Sequence, residues 1–240
     1  MVGCSIDDSA KCCGICGFNP VVLIATDKRV KITSTNIRLL QQQTVKPKIV
    51  LVVSDKEEFI YYTNTFPDIE LVYQANKPLG LKWQKGIVTN ANPLIILGSD
   101  DILRIDYIET CLRLLVKGYD MIGLTSWYVF DELEKKLYHS TYKNKNINFP
   151  LGSGRVYSKK LLEKLKFKIF DTTANRKLDD LGYHSAVKSK ANILLIREPE
   201  LLSVKGNWET MNPVQVCIKS KNIESEIIDV SILKQFNYVL

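Results

Sequence analysis

Four apolar runs of strand length, separated by stretches with helical spacing, constrain this chain more than any other feature. Val21-Val22-Leu23-Ile24-Ala25, Ile49 to Val53, Ile69 to Tyr73 and Leu94-Ile95-Ile96-Leu97 read as buried strands. Between them, Lys31 to Gln43 turns Ile32, Ile37, Leu39 and Leu40 inward as a helix, and Lys56 to Thr65 and Leu81 to Asn90 read as two more. Strands this continuously apolar have no face left for water. They imply an α/β fold with a mostly parallel sheet covered by helices on both faces. Ligands of such sheets bind beyond the carboxyl ends of the strands.

The second half changes character. Ile105 to Lys117 reads as a helix and Asp120 to Leu124 as a buried strand. Trp127 to Phe130 and Lys136 to Tyr142 form an expected hairpin around Asp131-Glu132, a small antiparallel addition. Asn144 to Asn148 is a polar loop, and the turn Gly152-Ser153-Gly154 precedes a helix from Ser158 to Leu165. Lys177 to Lys190 reads as helix, Ile193 to Ile196 as strand, and Ile223 to Phe236 as a closing amphipathic helix. With no repeat and no Pro/Gly-rich linker, residues 20–240 read as one domain preceded by a flexible segment, 1–19. That segment holds Cys4, Cys12, Cys13 and Cys16. Its single C-x-x-C lacks the second ligand pair of a zinc ribbon, which leaves reduced thiols, with metal binding or acylation as the alternative.

Composition narrows the function classes. With 45% hydrophobic and 25% charged residues, the chain has the make-up of a globular protein. No run reaches the ~18–20 apolar residues of a membrane span. Asp7, Asp8 and Lys11 occupy the place of a signal-peptide core, so the expected location is cytoplasmic. The net charge of +7 is carried by 26 Lys against 7 Arg, scattered along the chain. Base and phosphate readers favour the bidentate Arg fork, so dedicated nucleic-acid binding is not expected. A phosphorylated small molecule fits a mild basic excess equally well. No P-loop pattern occurs.

The residues richest in chemistry are Leu97-Gly98-Ser99-Asp100-Asp101-Ile102-Leu103. Two carboxylates at the mouth of a parallel sheet repel one another, a conflict that a hard divalent cation resolves while bridging phosphate oxygens. The bland alternative is a helix N-cap before Ile102.

The ordered set of motifs resembles family 2 glycosyltransferases, which have the GT-A fold. Asn76-Lys77-Pro78-Leu79-Gly80-Leu81-Lys82-Trp83-Gln84-Lys85-Gly86-Ile87, then a strand, then Asp100-Asp101, is similar to that family's N-x-x-G…N-x-G-I…D-x-D-D run. Val22 to Asp27 and Val52-Val53-Ser54-Asp55 look like its first two strands. Gly152-Ser153-Gly154-Arg155 looks like its acceptor-side turn, and Leu178-Asp179-Asp180-Leu181 like its catalytic-base segment. The resemblance spans Val21 to Lys190 and is that of a compact, divergent member of the kind large DNA viruses encode. Gly98 and Ser54 stand where the family pattern carries acidic residues, and Asp179 stands where it usually carries Glu.

The resemblance implies a metal-dependent, inverting glycosyltransferase. It would move a sugar from a nucleoside-diphosphate sugar to a glycan or other hydroxyl acceptor. Asp100 and Asp101 would hold Mn²⁺ or Mg²⁺. Thr26, Asp27, Asp55, Lys82, Ser99, Lys205 and Trp208 would line the donor, and Gly152, Ser153 and Gly154 the acceptor. Asp180, with Asp179 beside it, would be the general base. Two rivals remain: a nucleotidyltransferase, and a non-catalytic nucleotide-sugar or carbohydrate-binding module.

Overall fold

The computed structural model describes residues 14–143, 149–175, 180–206, 214–219 and 222–239. In chain order the elements are β1 (Val21–Thr26), α1 (Val30–Leu40), β2 (Lys48–Val53), α2 (Lys56–Thr65), β3 (Glu70–Tyr73), α3 (Leu79–Lys85), β4 (Leu94–Gly98), β5 (Asp101–Leu103), α4 (Tyr107–Val116) and β6 (Met121–Leu124). They continue with β7 (Ser126–Asp131), β8 (Lys136–Tyr142), β9 (Arg155–Tyr157), α5 (Lys159–Lys164), α6 (Asp180–Lys188), β10 (Ile193–Ile196), β11 (Leu201–Lys205), α7 (Val214–Lys219) and β12 (Ile223–Ile228), and a 3₁₀ helix spans Val230–Phe236.

Among the described residues these strands make two sheets. The larger runs β10-β6-β9-β4-β1-β2-β3, and β9 alone opposes the direction of its neighbours. This is the expected α/β architecture, a mostly parallel sheet with a smaller sheet beside it. Central strands are buried on both faces: Val21, Val22, Leu23 and Ile24 are all without solvent contact. Alternate residues serve different layers. Val22 and Ile24 pack with Ile37, Leu40 and Tyr62 of α1 and α2, while Val21 and Leu23 pack with Leu161, Leu162 and Tyr183 of α5 and α6. Each such side chain contributes about 1.5–3 kcal/mol through burial.

The smaller sheet, β12-β8-β7-β11-β5, is continuous with the first through a corner. The chain leaves β4 at Gly98, turns through Ser99 and Asp100, and enters β5 at Asp101. Asp101 is therefore a strand residue, and the helix-cap alternative for the acidic pair does not hold. A layer of Ile102, Phe130, Leu202, Val204, Leu233 and Phe236 backs this sheet.

Several sequence expectations need correction. The region from Ile223 to Phe236 is not one helix: Ile223–Ile228 pairs with β8 as an antiparallel edge strand, and only Val230–Phe236 winds, as 3₁₀. Strand β9 inserts between the Gly152–Gly154 turn and α5, and β11 and α7 had no counterpart in the sequence reading. Helix α3 ends at Lys85, short of the expected Asn90. The 144–148 loop and the cysteines Cys4, Cys12 and Cys13 lie outside the described residues. Among the described residues no helix is long and apolar enough to cross a membrane.

Candidate functional site

From β1 the chain winds outward through β2 to β3, then returns to the other side of β1 as β4. The order reverses between β1 and β4, and at their carboxyl ends, Thr26 and Gly98, lies the crevice position where sheets of this kind take ligands. Three loops and the end of β11 deliver polar side chains there.

The loop after β1 supplies Asp27 and Arg29. Lys28 takes a left-handed conformation (φ 55°), which turns the chain sharply into α1. Glu58, buried at the start of α2, accepts the Arg29 backbone N–H at 2.9 Å, so this turn is anchored from behind. Burial pushes the Glu58 carboxyl above its ordinary range, against the backbone hydrogen bonds that it accepts. The Arg29 guanidinium donates to Ser99 Oγ at 3.1 Å and lies 3.6 Å from Asp100 Oδ1.

The segment before and within α3 supplies Asn76 and Lys82. Gly80 lets this helix pack directly on the 171–174 backbone, where a Cβ would collide with the Asp171 carbonyl. Lys82 is 1% exposed, and its ammonium donates to the Thr26 carbonyl and, at 3.1 Å, to Asn76 Oδ1. Asn76 donates in turn to Asp27 Oδ2 at 2.7 Å. Burial lowers the Lys82 pKa to about 8, although Asp27 and Glu58 pull it upward. Shifts of this kind, from burial together with nearby charges, gather at functional sites.

The acidic corner is held from β11 and from the small-residue turn. Antiparallel register sets Ser203 opposite Asp101, and the Ser203 hydroxyl donates to Asp101 Oδ1. Two residues on, Lys205 donates to Asp100 Oδ2 at 2.6 Å. Ser153 accepts the Gly98 N–H at 2.9 Å, and Gly154, at φ 79°, bonds through its N–H to the Ile96 carbonyl and accepts from the Tyr107 hydroxyl at 2.5 Å. Burial raises Asp100, but the Lys205 ammonium and Arg29 guanidinium together hold it below its usual range. Burial and the neighbouring Asp100 charge push Asp101 upward. Burial depresses Lys205, and the two carboxylates more than offset it.

The structure thus brings together Thr26, Asp27, Lys82, Ser99, Asp100, Asp101, Ser153, Gly154 and Lys205, with Gly152 at the start of the same turn. Asp55 caps α2, its Oδ1 accepting from the Glu57 and Glu58 N–H groups at 2.8 and 3.0 Å. Asp180 opens α6, and Asp179 and Trp208 lie outside the described residues. Sequence reasoning passed over Arg29, Glu58, Asn76 and Ser203. Asn76 opens the Asn76 to Ile87 motif, and Arg29 lies two residues beyond the Val22 to Asp27 motif. Glu58 carried the signal of an acid at the third helical position, and Ser203 that of a residue sharing a strand face with Lys205.

A divalent cation fits this donor set poorly. Among the described residues no group of three or more His, Cys, Asp or Glu side chains converges. Lys205, Arg29 and Ser203 already engage the two carboxylates. A side chain at Gly98, where the family pattern has its first Asp, would run into Asp101.

The fold is that of an α/β protein with a Rossmann-like sheet. Similar solved structures include a CMP:2-keto-3-deoxy-manno-octonic acid synthetase complexed with CTP, at 11% identity and TM-score 0.49, over 75% of this chain and 90% of the other. A 4-diphosphocytidyl-2C-methyl-D-erythritol synthase from Anaerococcus prevotii matches at 10% identity and TM-score 0.49, over 78% and 90%. No protein-family model and no curated protein matches the chain. Neither structure is, by its name, a glycosyltransferase, and the glycosyltransferase expectation is withdrawn. Membership of glycosyltransferase family 2 and a viral source find no support.

Proposed function

We propose that the chain binds a nucleoside triphosphate across the carboxyl ends of β1 and β4 and transfers its nucleotidyl group to a phosphate, carboxylate or hydroxyl oxygen. One observation carries this reading. Three cations from three separate segments, Arg29, Lys82 and Lys205, gather where the strand order reverses, each largely withdrawn from water and held in place by the protein, Arg29 and Lys205 against Asp100 and Lys82 against the Thr26 carbonyl and Asn76. A polyphosphate is an anion long enough to meet several such pre-placed cations at once.

In the reaction the acceptor oxygen, an anion already or a hydroxyl whose proton passes to solvent, attacks the α-phosphorus and the bond to the bridging oxygen of the β-phosphate breaks, releasing pyrophosphate. Negative charge grows on that bridging oxygen. Arg29 and Lys205 flank one carboxylate, so their charge is already fixed in place before substrate arrives. Lys82 carries its charge to the carbonyl end of β1, beside Asp27.

The test is a melting-temperature screen of ATP, CTP, GTP and UTP, followed by ³¹P NMR for pyrophosphate release with sugar, sugar-acid and phosphorylated-alcohol acceptors. A triphosphate at 100 times its Kd stabilises the fold by about 2.7 kcal/mol. Failure of all four to shift the melting temperature overturns the reading. Binding without release of pyrophosphate with any acceptor leaves the non-catalytic module in its place.

A further inference from the structure

The cation at the acidic corner is part of the chain. Lys205 Nζ lies 2.6 Å from Asp100 Oδ2, with the two side chains only 6% and 8% exposed. Arg29 approaches the other oxygen of the same carboxylate, at 3.6 Å. Ser203 donates to Asp101 Oδ1, Ser153 is a second hydroxyl bonded to the same carboxylate, and Asp101 Oδ2 fills the space that a Cβ at Gly98 would need. Both carboxylates are therefore engaged by groups of the protein.

This arrangement is built into the sheet. The β11–β5 register pairs Leu201 with Leu103, Leu202 with Ile102 and Ser203 with Asp101, and the Val204 N–H bonds to the Asp100 carbonyl at 2.8 Å. Ser203 and Lys205 share a strand face, so both reach the corner at once. Withdrawal of Lys205 would leave the buried Asp100 with the more distant Arg29 as its cation, and an entering divalent cation must first displace the 2.6 Å Lys205 contact. An ammonium is a compact charge with three donors, of which the Asp100 contact uses one.

We infer that Lys205, held by Asp100 and seconded by Arg29, takes the place of a divalent cation, so that the crevice binds metal-free nucleoside triphosphate. The inference rests on the nucleotide-binding reading above, and the two fail differently. Affinity for each of the four triphosphates is measured by isothermal titration calorimetry in EDTA and again in Mg²⁺ or Mn²⁺. The expected result is binding in EDTA within about threefold of that with metal. Binding that requires metal overturns this inference and leaves nucleotide binding intact. Absence of binding in every buffer overturns both.

A second measurement uses the protein without nucleotide. Titration with Mn²⁺, followed by electron paramagnetic resonance of the free ion, should show no stoichiometric site in the wild type. Lys205→Ala exposes the carboxylate pair, and this variant should gain a Mn²⁺ site and a tenfold or greater dependence of triphosphate affinity on Mn²⁺. Lys205→Arg keeps a cation there and should stay metal-independent. Stoichiometric Mn²⁺ binding by the wild type overturns the proposal whether or not either variant folds.

Discussion

Lys82 and Thr26 meet at the carboxyl end of β1, where the buried ammonium of one donates to the backbone carbonyl of the other. The contact joins α3 to the central strand and places a positive charge at the mouth of the sheet without exposing it. An ammonium there stays protonated only while its surroundings tolerate the charge, and burial has already lowered its pKa to about 8.

Triphosphate affinity should therefore depend on pH through Lys82. Below pH 8 the ammonium is charged and attracts phosphate. As pH rises through about 8 the free protein loses that proton, and affinity should fall. Calorimetry between pH 6.5 and 9.5 measures the fall, and Lys82→Met should bind more weakly at pH 7 and lose the slope. A wild-type profile that is flat across this range refutes the assignment of Lys82 to the anion.

Asp55→Ala separates a helix cap from a base reader. Loss of an N-cap costs about 0.5–2 kcal/mol, visible as a drop of roughly 2–4 °C in Tm per kcal/mol for a chain of this size. Triphosphate affinity should change less than twofold. A tenfold loss of affinity would restore Asp55 to base recognition.

Gly98→Ala tests the packing of the acidic corner. Its new methyl group would press on the Asp101 carboxylate, which the Ser203 hydroxyl holds in place. Overpacking of this kind costs about 1–3 kcal/mol. Urea denaturation should show a lower midpoint with an unchanged slope. An equally stable variant would mean that Asp101 moves aside freely.

Glu58 and Arg29 should act as one unit. Glu58→Ala removes the acceptor of the Arg29 backbone N–H and frees the turn that aims the guanidinium at Ser99 and Asp100. Each single alanine variant should weaken triphosphate binding, and the double variant should be little worse than Arg29→Ala alone. Glu58→Gln keeps an acceptor oxygen and should recover most of the affinity. Strict additivity of the two losses would show that Glu58 acts elsewhere.

Local pattern carried the first half of the fold. The strand of residues 21–26 and the strand of residues 94–98 are almost wholly apolar, and the helix of residues 30–40 turns Ile32, Ile37, Leu39 and Leu40 to one buried side, so their identity needs no distant partner. Two elements of the second half behave differently. Arg155–Tyr157 has three residues, too few to show a period, and is a strand only because β4 and β6 leave a slot that it completes. Ile223–Ile228 has apolar residues at spacings that suit a helix, and the edge of β8 overrides that preference by offering six paired positions.

The site divides along the same line. By itself the sequence determined that two carboxylates, Asp100 and Asp101, follow a buried strand of a mostly parallel sheet, because that strand and its ending are local. It also determined that Lys82 lies on the short helix before that strand. Only the tertiary structure decided what answers the carboxylates. Lys205 reaches Asp100 across 105 positions of sequence, and Asp55 serves as the N-cap of the helix that follows it. Charge pairs of this kind exist only through strand register and burial. Both depend on how distant segments exclude water together, which no local window of residues records.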